Sequence, residues 1–351
     1  MTDACPDAQV GGAYIIVAMD RLVADAGGDP GSALGKSVRE VMHTGLKLLG
    51  DDASLGEAKL ISRALKELRY ALKVFRPYHE TPKISIFGSA RTPEDHPDYQ
   101  AALRFGRTMA EAGWMVITGA GDGIMRAGHG GAGRESSFGV AIRLPFETNA
   151  NDVIVGDPKL VTFRYFFTRK LMFMWMSHAV ALFPGGFGTQ DEGFEALTLI
   201  QTGKAPLVPI VMIDAPGQDY WKHWDNYITK SLLDNGWISP EDQNLYFVTD
   251  DIAAAARHVS DFYRNYHSQR FVRDDLVLRI RRPLKDAQLD ALSDEFASLI
   301  VDGKVQQGGP LKGEREVPHL PRLWFHHTKA GYGKLRAMID RVNAFDVENA
   351  S

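Results

Sequence analysis

The run Ala179-Val180-Ala181-Leu182-Phe183 passes without a spacer into Pro184-Gly185-Gly186-Phe187-Gly188-Thr189-Gln190-Asp191-Glu192. A short apolar run ended by a glycine turn reads as a buried strand, and Thr189 with two acids reads as the opening of a helix. A chain made of such units is committed to a parallel sheet covered by helices. Glycines at the turn let backbone N–H groups approach a ligand with no Cβ in the way. The helix N-terminus adds unpaired donors and partial positive charge, so the junction has the chemistry of a phosphate cradle. Asp191 and Glu192 keep two readings: acids are favoured in a first turn by the helix dipole, and carboxylates beside an anion site also suit a reaction.

The same pattern recurs through the centre of the chain. Lys83–Phe87, Trp114–Thr118, Phe138–Ile142, His178–Phe183 and Leu207–Ile213 read as strands, and Tyr99–Ala112 as a helix capped by Gly113. Gly88-Ser89-Ala90-Arg91 ends the first strand and Gly119-Ala120-Gly121-Asp122-Gly123 ends the second. Glycine turns at strand carboxyl ends lie where open α/β sheets bind ligands, so together they outline a cleft. Ser89 and Arg91 suit either a phosphate contact or a plain turn. The Gly119–Gly123 turn lacks the full glycine spacing and the downstream acid of a dinucleotide fingerprint, which argues against NAD.

The flanks have a different texture. Residues 1–31 surround one apolar patch, Tyr14-Ile15-Ile16-Val17, and read as a poorly specified arm or a swapped element. Apolar spacing from Ser32 to Arg76 predicts two helices, broken near Gly50-Asp51-Asp52 and stopped by Pro77. Beyond Asp274, strand-like Leu276–Ile280 and Leu323–His327 alternate with helical Asp286–Ile300 and Lys334–Val342. The expected architecture is α/β: a Rossmann-like doubly wound parallel sheet with an N-terminal helical extension and a small C-terminal α+β appendage. The boundaries expected are 1–79, 80–268 and 269–351. The appendage is regulatory, completes a neighbouring subunit's site, or stabilises the sheet.

Forty basic residues stand against 44 acidic ones, a net charge of −4, which disfavours a general nucleic-acid or anionic-membrane binder. A single cysteine, Cys5, rules out internal disulfides and sites built on several thiolates. No apolar run approaches the roughly 18 residues of a membrane span, and the expected location is cytoplasmic. His326 and His327 with His319 invite a metal, but consecutive strand residues face opposite sides, so no metal site is expected. The stretch Leu171-Met172-Phe173-Met174-Trp175-Met176 reads as core or as a subunit interface.

Between the second and third turns, Phe163-Arg164-Tyr165-Phe166-Phe167-Thr168-Arg169-Lys170 places three cations in an apolar segment. They form a solvated or salt-bridged helix face, or they reach the same cleft as Glu192. This segment, Pro-Gly-Gly-x-Gly-Thr-x-x-Glu at 184–192, and Glu195-Ala196-Leu197-Thr198-Leu199-Ile200-Gln201-Thr202-Gly203-Lys204 together resemble the Lonely Guy (LOG) family, whose members are often labelled "possible lysine decarboxylase". Gly88–Arg91, Thr118–Gly121, Gly123-Ile124-Met125 and Leu144-Pro145-Phe146-Glu147 extend the resemblance, which covers about 80–265 and is nearer the longer bacterial subtype.

The resemblance implies a Rossmann-like fold, a homodimer or higher homo-oligomer, and hydrolysis of a nucleoside 5′-monophosphate such as AMP to free base and ribose 5-phosphate, with no cofactor. Glu192 and Arg169 match the family's catalytic pair; Gly185, Gly186, Gly188 and Thr189 match its phosphate loop. Asp191, Ser89, Arg91, Gly119, Gly121 and Lys170 are further candidates for nucleotide contacts. Cleaving the bond passes through an oxocarbenium-like ribosyl cation, which a carboxylate stabilises while it orients water; no residue stands out as the acid for the leaving base. Two positions depart from the family: Arg126 and His129 stand where Glu and Asn are common. They leave open a non-catalytic nucleotide or cofactor binder resembling molybdenum-cofactor carriers. Amino-acid decarboxylation would need a pyridoxal-phosphate lysine, and no lysine has that context.

Overall fold

In the computed structural model, which describes residues 12–143 and 150–350, the first three helices are α1 (Ala13–Asp25), α2 (Ala33–Gly50) and α3 (Leu55–Phe75). Leu144–Glu147 and Cys5 lie outside the described residues. The chain divides into two units, Met1–Arg69 and Tyr70–Ser351. The apolar patch Tyr14–Val17, read as an arm or a swapped element, is helical and belongs to α1. Ile15, Met19 and Val23 recur at every fourth residue, and Met19 and Val23 are buried while Tyr14 and Val17 are exposed. Ser32 caps α2 by accepting the Gly35 N–H, and Ser54 with Glu57 forms a capping box at α3. The break at Gly50–Asp52 and the stop before Pro77 fall where the sequence places them.

Short strands, each but β3 followed by a helix among the described residues, build the main sheet: β1 (Lys83–Phe87), α4 (Pro97–Glu111), β2 (Met115–Thr118), α5 (Ile124–Ala132), β3 (Ser137–Ile142), β4 (Leu160–Phe163), α6 (Phe166–Met176), β5 (Ala179–Leu182), α7 (Phe187–Gln201), β6 (Ile210–Ile213), α8 (Tyr220–Tyr227), β7 (Tyr246–Thr249) and α9 (Ile252–Phe262). The order is β4-β3-β2-β1-β5-β6-β7, with every neighbouring pair parallel. This is a Rossmann-like doubly wound sheet. Its strand order reverses between β1 and β5, and a crevice opens there at the carboxyl ends. Ile84, Ile86, Val116, Ala181, Phe183, Val211 and Ile213 meet Phe105, Ala127 and Val259 from the helices in one buried core.

Four strands escape the sequence reading, β4 and β7 at the edges of this sheet and two more at the edges of the C-terminal sheet described below. The residues of β7 are half-buried throughout and β4 mixes buried with exposed positions, as edges of a sheet do.

The C-terminal part is an antiparallel sheet, β10-β11-β9-β8, made of β8 (Tyr266–Val272), β9 (Asp275–Ile280), β10 (Gln306–Gly308) and β11 (Arg322–His326), with helices α10 (Asp286–Glu295) and α11 (Tyr332–Ala350). The helix expected over 286–300 ends at Glu295 and is followed by a 3-10 turn, Ala297–Leu299. The glycine-rich loop before β11 is pinned by Glu314, buried between Arg279 and Arg322 at 2.7 and 3.1 Å. Burial alone would raise the Glu314 carboxyl's pKa, but the two guanidiniums hold it below the ordinary value. Tyr332 of α11 covers Gly203, where a Cβ would overlap its ring, and Asn343 accepts the Asn265 and Tyr266 N–H groups at 2.8 and 2.9 Å. The appendage therefore packs within the unit Tyr70–Ser351.

Candidate nucleotide site

The glycine turn after β5 is built for close backbone approach. A Cβ on Gly185 would overlap Thr189 Oγ1 and crowd the Ser89 backbone, whereas Gly186 and Gly188 face open space. The N–H groups of Gly185, Gly186, Phe187 and Gly188 make no hydrogen bond among the described residues, while Gly186 O accepts from Thr189 and Gln190. Four successive free donors at a helix N-terminus form an anion-binding concavity. Thr189 is buried beneath it and Phe187 is almost wholly exposed beside it.

The other two turns join this one through the backbone. Ser89 N–H donates to Pro184 O at 3.1 Å, and Ile124 N–H donates to Ser89 O at 3.0 Å. Gly123 has φ +59°, and a Cβ there would overlap Ser89 O, so glycine is required on both grounds. In the β2 turn, Asn151 donates its N–H to Ala120 O and its side-chain amide to Gly121 O, at 2.8 and 2.9 Å. Three separate sequence turns thus form one hydrogen-bonded rim over the β1/β5 crevice. Arg91 lies exposed at its edge, with its N–H on Ser89 Oγ.

Arg169 enters from the first turn of α6. Its Nε donates to Val140 O at 2.9 Å, its guanidinium lies 5.2 Å from the Phe173 ring, and it packs so closely on Gly119 that a Cβ there would strike it. Lys170 turns to α7 instead. Its ammonium is 2.8 Å from Asp191, 2.8 Å from Glu195 and 3.9 Å from Glu192. Burial alone would lower the Lys170 pKa, but the bonds to Asp191 and Glu195 raise it. Lys170 is thus engaged by carboxylates on α7.

Glu192 is buried, at 9% exposure, one turn beyond the free donors. Burial pushes its carboxyl up to about 7, against the opposing pull of Lys170 and Arg169. A buried carboxyl that exchanges its proton near neutrality, with two cations beside it, is suited to acid–base work or to stabilising a developing cation.

The two departures from the family pattern have different environments. His129 is fully buried: Nε2 lies 3.0 Å from both Thr118 Oγ1 and Phe138 O, and Nδ1 lies 3.2 Å from the Asn151 amide. Burial lowers its pKa, so the neutral ring acts as an internal strut for the β2 turn. Arg126 lies on the rim and grips Asp152 through two bonds of 2.9 and 3.0 Å while also pairing with Glu94. Sequence reasoning missed Tyr220 and Asn151, whose partners lie far along the chain. No local pattern marks either.

A family model described as "possible lysine decarboxylase" matches residues 121–259. The chain is 28% identical over 178 residues to a cytokinin riboside 5′-monophosphate phosphoribohydrolase of Mycobacterium tuberculosis, covering 48% of this chain and 88% of that one. Among solved structures it is similar to a molybdenum cofactor carrier protein of Chlamydomonas reinhardtii (23% identity, TM-score 0.37, 52% of this chain and 97% of that one). It is also similar to a molybdenum cofactor binding protein of Rippkaea orientalis (17% identity, TM-score 0.38, 52% and 96%). The sheet order makes this a Rossmann-like protein. In sequence it is distantly similar to a phosphoribohydrolase. Among the described residues no helix is long and apolar enough to cross a membrane.

Proposed function

We propose that this protein hydrolyses the N-glycosidic bond of a nucleoside 5′-monophosphate of the AMP type, releasing the free base and ribose 5-phosphate. The observation that carries the reading is the buried Glu192 carboxyl, held beside Lys170 one helical turn from four free backbone donors. In this reading the 5′-phosphate takes the Gly185–Gly188 donors and supplies remote binding energy that positions the ribose. The C1′–N bond breaks with its electron pair leaving on the base. Ionised Glu192 stabilises the ribosyl cation and accepts a proton from the water that adds to C1′, and that proton passes on to the departing base, which restores the carboxylate. Arg169 lends positive charge near the same carboxylate. Ser89, Gly119 and Gly121 contribute through the rim, and Asp191 is assigned to a ribose hydroxyl. The extensions on both sides of the core favour the longer bacterial subtype.

A homodimer belongs to the same reading. Phe167, Leu171 and Trp175 recur at every fourth residue on α6 and are exposed, with Phe166 beside them, an apolar stripe suited to a second copy.

The test is to incubate the purified protein with AMP and follow adenine and ribose 5-phosphate together. Equimolar release that disappears in Glu192→Gln, with AMP binding retained, supports hydrolysis. AMP binding without release in the wild type would instead favour a carrier or sensor on this fold.

A further inference from the structure

We infer that Tyr220 is a positioning residue that sets the direction of the backbone donors in the glycine turn; the inference rests on the phosphate role proposed above. The Tyr220 hydroxyl donates to Gly185 O at 2.6 Å and accepts from Gln190 Nε2 at 2.6 Å. A hydroxyl has one proton, and the amide of Gln190 occupies it as an acceptor, so that proton is directed to Gly185. In a planar trans peptide the C=O and the next N–H point in opposite directions. Holding Gly185 O against Tyr220 therefore turns the Gly186 N–H away from α8. Pro184 O is held in the same way by Ser89 N–H, which sets the Gly185 N–H. Two successive peptide planes are thus fixed in a stretch where paired glycines would otherwise let them flip at little cost.

The brace has a firm base. The buried Asp214 carboxylate accepts the Trp221 N–H at 3.0 Å, and the Tyr220 ring meets Trp221 edge-on at 4.9 Å. Because Gln190 lies on α7, Tyr220 links the turn, the helix it opens and α8. A ligand anion then meets donors already aligned, with no reorganisation on binding.

The experiment compares wild type, Tyr220→Phe and Gln190→Leu in AMP hydrolysis and in calorimetric binding of ribose 5-phosphate. For Tyr220→Phe we expect KM for AMP and Kd for ribose 5-phosphate to rise together by about 5- to 10-fold, with kcat within about twofold. Gln190→Leu should shift both in the same direction by less, and the Tm of each variant should stay near wild type. A fall in kcat with KM and Kd unchanged, or a loss of Tm that carries both down, overturns the inference and leaves Tyr220 a structural residue. If wild type cleaves no AMP yet binds ribose 5-phosphate, and Tyr220→Phe weakens that binding, the hydrolase reading fails and the positioning role stands. If wild type binds neither ribose 5-phosphate nor inorganic phosphate, the positioning role fails as well.

Discussion

The Lys170 ammonium stands 3.9 Å from the buried Glu192 carboxylate, while its short contacts go to Asp191 and Glu195. Lys170 therefore acts on Glu192 through its field, without occupying the carboxylate. Burial raises the Glu192 pKa and Lys170 opposes it.

A pH dependence follows. If Glu192 works as a carboxylate, kcat/KM for AMP should climb through a limb centred near its value of about 7. Lys170→Met removes the opposing charge and should move that limb to higher pH by about one unit. An unmoved limb would assign it to a different group.

Stability should respond in the opposite sense. The folded-state pKa of Glu192 is raised from 4.5 to about 7, so the folded protein holds this proton more tightly than the unfolded chain. The associated stability is complete below 4.5 and is lost as pH rises through 7. Glu192→Gln, which mimics the protonated form, should match wild type in urea unfolding near pH 5 and exceed it near pH 8, by at most about 3 kcal/mol.

The glycines of the turn should separate by role. Gly185→Ala places a methyl group onto Thr189 and the Ser89 backbone and should destabilise the fold by about 1–3 kcal/mol. Gly188→Ala meets nothing in the free protein. It should leave thermal unfolding unchanged while weakening ribose 5-phosphate binding severalfold in calorimetry, because its methyl group stands among the free donors.

Gly119→Ala should displace the Arg169 guanidinium, since a Cβ there strikes it. A kcat loss of about tenfold or more is expected, with far-UV circular dichroism unchanged. Unaltered kcat would remove Arg169 from the reaction.

Light scattering tests the dimer. Trp175→Glu with Leu171→Glu puts charge into the exposed α6 stripe and should convert a dimer to a monomer at micromolar concentration. A wild-type protein that is already monomeric overturns this assignment.

Local chemistry made much of this molecule legible. Short apolar-rich runs gave away the central strands β1, β2, β3, β5 and β6, glycine turns marked the carboxyl ends of β1, β2 and β5, and helical spacing with Pro77 delimited α2 and α3. The edges β4 and β7 were not read because apolar runs of four residues do not by themselves distinguish a strand, and the edges β8 and β10 because their residues are mostly polar. The helix α1 had no clear signature in the sequence because its buried stripe is narrow, Met19 and Val23.

At the site, residue types were readable and their partners were not. Glu192 and the glycines stood out at a strand–turn–helix junction, whereas the pairing of Glu192 with Arg169 came from the family resemblance. That Lys170 turns to Asp191 and Glu195, that His129 is an internal strut, and that Tyr220 pins Gly185 all depend on segments brought together from distant parts of the chain. Sequence alone determined the strand–turn–helix units and hence a parallel sheet, because backbone propensity and side-chain period act locally. Only the tertiary structure decided which donors stay free and which charges are buried, because desolvation and hydrogen-bond partners depend on what the sheet order packs beside each group.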